Sequence, residues 1–374
     1  MTVKARVALV LAVALGAAAP PADAAAPAAC APAPTFPAVT EGRSAPGTVA
    51  SSNGVLRGVM LTVDFPNAVA GYAPEEHLAP VEQASAWYRA LSRGRLTLSV
   101  AGLARWLRMP LSSDSYSQEP GRYFADAIAS ADPYVDFTQV DVVYLVPVEG
   151  ATGFDAGSAV LNSFGVHADG KEVRYWVSFA NGFGRSDPDP WVLIHETGHL
   201  LGLPDLYVQR APETFHRWDV MAARYPSELF AWHRWKLGWL DPGEIVCFTG
   251  RASRRVTLSP LAAPGGLKAL LVRRGNEVVV AEVRQRLGYD SGLCDPGVLI
   301  YRVTTTPLQR SPVQLYRAHS APRTRVGRCG NVWNATFSVG RGEVSRFRIP
   351  QWRLEIRVLA RLADGAFRVR ATMR

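Results

Sequence analysis

Residues 55–65 form an almost unbroken apolar and β-branched run, the pattern of a strand buried on both faces. Residues 74–91 follow with helical spacing, which puts Leu78, Val81, Ala84, Tyr88 and Leu91 on one side. Alternation over 95–100 predicts a second strand with Leu96 and Leu98 on one face. Residues 123–131 read as a helix, 140–146 as a continuous apolar strand, and 174–179 as a further alternating one. Helical spacing returns over 191–201 and again over 226–240, where Leu229, Trp232, Trp235, Leu237 and Trp239 supply core. Past the turn signal Asp241-Pro242-Gly243 the texture changes. Residues 255–258, 269–273, 278–283, 298–303, 347–349, 354–359 and 367–370 are short β-rich runs separated by Gly, Pro and Asp. The pattern predicts an α/β (α+β) domain over 51–241, followed by an all-β, sandwich-like domain over 242–374.

The N-terminus breaks this pattern. Lys4 and Arg6 precede an apolar run over 7–19, and Ala22-Asp23-Ala24 has the small-x-small form of a cleavage site. Residues 1–24 therefore read as a signal peptide, its apolar run too short for a bilayer, and the expected location is extracellular with no membrane span after cleavage. Residues 25–50, rich in Ala, Pro, Gly and Ser, read as a leader or linker. Outside the cytosol the four cysteines, Cys30, Cys247, Cys294 and Cys329, predict two disulfides whose three pairings the sequence leaves open. A sharper alternative makes Cys30 a thiolate that caps a metal and holds the protein latent.

Composition bounds the rest. The 374 residues are 48% hydrophobic and 20% charged, which suits a folded chain with a sizeable core. Net charge is +9, and apart from Lys4, Lys171, Lys236 and Lys268 every basic residue is arginine. Such a balance favours anionic polymers or acidic substrates at low salt. No basic block or aromatic-basic alternation points to nucleic acid.

The chemistry concentrates in the segment from Asp189 to Asp205, which contains His195-Glu196-Thr197-Gly198-His199. Asp189 is placed to cap a helix and Pro190 to occupy its first position. His195 and His199, four apart, then face the same way and suit one zinc ion. Glu196 sits beside that line, placed to take a proton from a water at the metal. Gly202 fits the left-handed position that stops the helix, Pro204 stiffens the turn, and Asp205 returns as third ligand. A fourth position left to water marks a catalytic site rather than a structural one. Glu213, His216 and Asp219 are rival third ligands without the glycine turn. Trp218-Asp219-Val220-Met221-Ala222 fits a Met-containing turn beneath the metal, with Asp219 an acceptor for a histidine N–H. Tyr207 and Tyr225 are candidates for stabilising the oxyanion. The pairs Asp132/Asp136 and Asp187/Asp189 could hold a structural calcium, although solvated turns are the simpler reading.

The run His195 to Tyr207 resembles the zinc motif of the immune-inhibitor-A-like secreted metallopeptidases, and is similar to that of the snapalysin type. Both are metzincin-like with Asp in place of the third His, which Asp205 matches. Residues 59–66, Trp218 to Met221, Leu237-Gly238-Trp239-Leu240, Glu282 to Gln285 and 297–301 extend the resemblance to the first group over about 55–305. Thr304 and Ala222 depart from it, standing where an acidic residue and a serine are usual. The resemblance implies a metzincin-like catalytic domain, zinc on His195, His199 and Asp205, Glu196 as base, and protein or peptide substrates. Two other classes stay open: a secreted binding or adhesion protein with a vestigial zinc site, and a zinc amidase or deacetylase.

Overall fold

The computed structural model describes residues 29–32, 34–35, 39–206, 218–222, 225–306, 312–320 and 334–374. The signal-peptide segment, Tyr207, Glu213, His216 and Cys329 lie outside the described residues. The chain is a mixed α/β structure with several sheets and few helices.

The first large sheet is built on β1 (Gly54–Asp64), with β2 (Leu96–Gly102) on one side and β3 (Val142–Pro147) on the other, all parallel. Leu107–Arg108 extends the pairing of β1. Beyond β3 come β5 (Trp176–Ser178), parallel, and the antiparallel edge strand β4 (Ser158–Val160). Alternate residues of β1 feed two different cores, which is why its sequence is apolar throughout. Leu56 and Met60 join helices α1 (Val81–Leu91) and α3 (Pro190–Leu200). Val59, Leu61 and Val63 pack with helix α2 (Pro120–Ala131). The helix expected over 74–91 is broken at Ala79 and Pro80 into a 3-10 turn, Pro74–Leu78, and α1. Proline removes the N–H that a continuous helix needs.

Two further sheets follow the short helix α4 (Ala231–Lys236). One runs β6 (Ile245–Phe248), β8 (Ala269–Arg274), β9 (Glu277–Arg284), β10 (Gly297–Thr304) and β11 (Val313–Tyr316) in spatial order. The other runs β7 (Ala252–Leu258), β14 (Phe367–Met373), β13 (Leu354–Arg361) and β12 (Arg346–Ile349), all antiparallel. Leu270, Val279 and Ile300 of the first sheet share a core with Ile356, Phe367 and Val369 of the second. The opposite face of the five-stranded sheet, through Leu271, Val280, Leu299 and Tyr301, joins the core of α1 and α3. Apolar packing thus continues across Asp241, where the sequence texture changes.

The N-terminal segment is tied into this core. Cys30 is disulfide-bonded to Cys247 on β6, and Cys294 is also in a disulfide. The bonded Cys30 has no thiolate to offer a metal, so the latency reading falls. Within 39–50, Glu41 and Ala50 are buried, and the Ala50 N–H donates to Leu200 O at 2.8 Å. No helix among the described residues is long and apolar enough to cross a membrane.

Candidate metal centre

Helix α3 starts and stops where local chemistry dictates. The Asp189 carboxylate accepts from the Trp191 N–H at 3.0 Å, and Pro190 takes the first helical position. At the other end Gly202 adopts φ 91°, its N–H bonding His199 O at 2.8 Å, while the Leu203 N–H bonds Gly198 O at 3.0 Å. This is a Schellman stop, and it turns the chain back along the helix. Buried hydroxyls fix the helix from outside: Tyr88 donates to Ile194 O at 2.6 Å, and Tyr144 meets Thr197 at 3.0 Å.

That turn carries Asp205 onto the two histidines. His195 Nε2, His199 Nε2 and Asp205 Oδ1 form a triangle with edges of 3.1, 3.1 and 3.1 Å. It is the cluster of metal-binding residue types that the described residues bring together. Both imidazoles are committed on their other nitrogen. His195 Nδ1 lies 3.1 Å from Val220 O, and His199 Nδ1 2.7 Å from Leu203 O. A carbonyl only accepts, so each Nδ1 carries the proton, and in neutral rings both Nε2 lone pairs point at one another and at a carboxylate. Three acceptors converging on a point are satisfied by a cation between them, a proton or a metal ion. Tetrahedral zinc with bonds of about 2.0–2.1 Å holds its ligand atoms roughly 3.3 Å apart, so the observed triangle fits it closely. The two-nitrogen, one-oxygen donor set also suits that ion better than calcium or magnesium.

Burial alone would raise the Asp205 carboxyl, but the His195 and His199 rings 3.1 Å away hold it well below the usual carboxylate range. Burial pulls His199 down, yet Asp205 outweighs it and leaves the imidazole raised. His195 is nearly enclosed, whereas the Asp205 side chain is 41% exposed, so the cluster opens to solvent on the aspartate side. Glu196 is buried beside it, and a Cβ added at Gly157 would stand 3.2 Å from Glu196 Oε1. The carboxylate therefore lies against the backbone that leads into edge strand β4.

The floor of the cluster is the turn Val220–Ala222, in which Met221 is fully buried. A Cβ on Gly198 would meet Met221 Sδ at 2.7 Å, so the helix and the turn touch through a glycine. Asp219 does accept from a histidine, as expected, but from His233 and not from the cluster. Its carboxylate takes His233 Nδ1–H at 2.7 Å, the Met221 N–H at 2.8 Å and the Phe230 N–H at 2.7 Å. Its oxygens are spent there, so Asp219 is no rival third ligand. His233 Nε2 in turn faces both Glu41 oxygens at 3.2 Å, and all three side chains are buried. Burial opposes its charge, but Asp219 and Glu41 raise the His233 pKa to about 10. Lys236 bonds both Thr40 O and Gly202 O, joining the N-terminal segment to the Schellman turn. From β9, Arg284 donates to Trp218 O at 2.7 Å and is held by Asp290 at 2.6 and 2.7 Å.

Glu41, His233, Lys236 and Arg284 escape a reading of spacing, since their partners come from distant parts of the chain. Tyr225 stands 42% exposed after the turn. Of the suggested calcium carboxylates, Asp189 caps α3 and Asp136 accepts from Thr138 at 3.0 Å, which gives both a local task.

No family model matches the chain, and no curated protein does. Among solved structures, metalloproteinase-II from Bacteroides fragilis is similar at 15% identity and a TM-score of 0.25, covering 46% of this chain and 47% of that one. The chain thus aligns with about half the length of that structure, and the functional reading rests on the residues of the chain itself.

Proposed function

We propose that this protein is an exported, zinc-dependent endopeptidase. The observation that carries the reading is the convergence of His195 Nε2, His199 Nε2 and Asp205 Oδ1 with both Nδ1 atoms already committed to carbonyls. His195, His199 and Asp205 would hold the ion. A zinc ion there supplies Lewis acidity toward a carbonyl oxygen and a water. Glu196 takes the proton of that water at its carboxylate and hands it to the departing amine. Edge strand β4, whose outer side is unpaired among the described residues, offers backbone groups to an extended peptide laid antiparallel to it. Such a peptide would pass beside Glu196, which lies against Gly157 immediately before β4.

In this reading the first sheet with α1 to α3 is a metzincin-like catalytic unit, and the two later sheets are an appended β sandwich. The resemblance of His195 to Tyr207 to the immune-inhibitor-A-like motif supports the same assignment. The Cys30–Cys247 disulfide is compatible with an oxidising compartment, in line with export.

The test is hydrolysis of casein by the purified protein, with elemental analysis and 1,10-phenanthroline. Hydrolysis should stop with the chelator, and Glu196→Gln should keep its zinc while losing about 10²–10⁴-fold in rate. A protein that binds zinc and leaves casein and peptide libraries intact would point to a binding role instead.

A further inference from the structure

The outer face of the four-stranded sheet carries a charge pattern that its packing does not require. Along β12, β13, β14 and β7 the inward residues build the core shared with the five-stranded sheet, while the outward positions are dominated by arginine. In register, Arg346 stands opposite Arg357, Arg357 opposite Arg370, and Arg370 opposite Arg255. Four guanidinium groups therefore form one row across all four strands, at an interstrand spacing of about 4.8 Å. Like charges directly opposite one another destabilise a sheet. One carboxylate, Glu355, serves this end of the face, meeting Arg348 at 2.8 Å, Arg357 at 2.5 Å and Arg346 at 3.7 Å. Arg255 and Arg370 have no ion-pair partner among the described residues. Arginines on edge strands can serve to block unwanted pairing, but Arg357 and Arg370 sit on the two central strands.

The shape and the chemistry of this face select among polyanions. Arg348, Arg353, Arg357, Arg370 and Arg374, with Glu355 as the one carboxylate among them, line an open depression of about 730 Å³ beside the row. A concave site lined by guanidinium groups admits a segment of a chain, whereas a bilayer plane would touch only its rim. None of the exposed large apolar or aromatic side chains lies on this sheet, so it offers no stacking platform for bases and no wedge for lipid tails. Guanidinium forks pair bidentately with carboxylates and with tetrahedral oxyanions of the phosphate type, whose geometry sulfate shares. We propose that this face binds a linear acidic polysaccharide, one bearing sulfate or carboxylate groups, and so holds the protein on an anionic matrix. The proposal is independent of the metal cluster.

Immobilised heparin serves as the probe, with the full chain eluted by salt. The quadruple variant R255Q/R346Q/R357Q/R370Q should lose about four units of log–log salt slope, and at least tenfold in affinity at roughly 0.15 M salt. The control R57Q/R89Q/R105Q/R122Q removes the same net charge from other surfaces and should bind nearly as the parent does. R255Q/R370Q, which breaks none of the Glu355 pairs, should lose about two units of slope and covers the case in which the quadruple variant fails to fold. Equal losses in row and control variants would reduce the effect to net charge and overturn the proposal. Row-dependent binding to phosphatidylglycerol vesicles without row-dependent binding to heparin would overturn it in favour of a lipid surface.

Discussion

Asp205 is the most exposed of the three converging donors, and it reaches the histidines only because the chain reverses at Gly202. Removing it leaves two imidazoles, which grip a zinc ion far less firmly than three donors do. Asp205→Ala should lower bound zinc at least tenfold under micromolar free metal, as read by elemental analysis after dialysis, with the far-ultraviolet circular dichroism unchanged. An unaltered zinc content would move the third ligand elsewhere. The convergence of His195, His199 and Asp205 is legible in the sequence because it is a property of one helix and one turn. Four-residue spacing and a glycine stop are local geometry, visible wherever they occur. Glu41, by contrast, meets His233 across 192 positions, and no periodicity announces such a pair.

The elements show the same division between local and distant causes. Strands with continuous or alternating apolar residues, such as β1, β9 and β10, stand within a residue or two of where patterning puts them. Helix α4 does not fill the expected 226–240 and covers only Ala231–Lys236. Its entry is held by side chains from afar, as Phe230 N–H donates to Asp219 and Ala231 N–H to Glu282, both at 2.7 Å. Gly238, at φ 74°, ends it. The pinned entry keeps His233 between Asp219 and Glu41, and Asp219 in turn organises the turn whose Val220 O orients His195. Glu41→Gln should therefore weaken zinc binding about tenfold, as loss of a supporting partner behind a ligand typically does. Its pH signature follows from linkage. His233 titrates at about 10 when folded against 6.5 as its ordinary value, so its stabilisation is complete below pH 6.5 and is lost as pH rises toward 10. Withdrawing one carboxylate lowers the folded value. The gap in urea midpoint between parent and variant should be widest at neutral pH and below, and closed above pH 10. A gap independent of pH would mean that Glu41 acts through packing alone.

At the scale of the whole molecule, the change of texture after Asp241 is real, since every sheet beyond it is free of long helices, yet it does not mark a break in the core. Val280, Leu299 and Tyr301 pack in the same cluster as Leu193 and Met221, and Arg284 reaches from β9 to the carbonyl of Trp218. The composition of residues 25–50 likewise suggests a linker, whereas Cys30 and Glu41 are both fully enclosed. The described residues of this segment are held by one disulfide and one buried ion pair. The disulfide joins residues 217 apart, so in the unfolded chain it closes a very long loop. Its removal by Cys30→Ser with Cys247→Ser should cost about 2–5 kcal/mol of stability. Because Glu41 lies only a short way along the chain from Cys30, the same variant should loosen the seat of His233. Urea titration with and without zinc separates the two effects. If the N-terminal segment only adds stability, the zinc-dependent gain will be the same in parent and variant; if it also helps to shape the cluster, the gain will shrink in the variant.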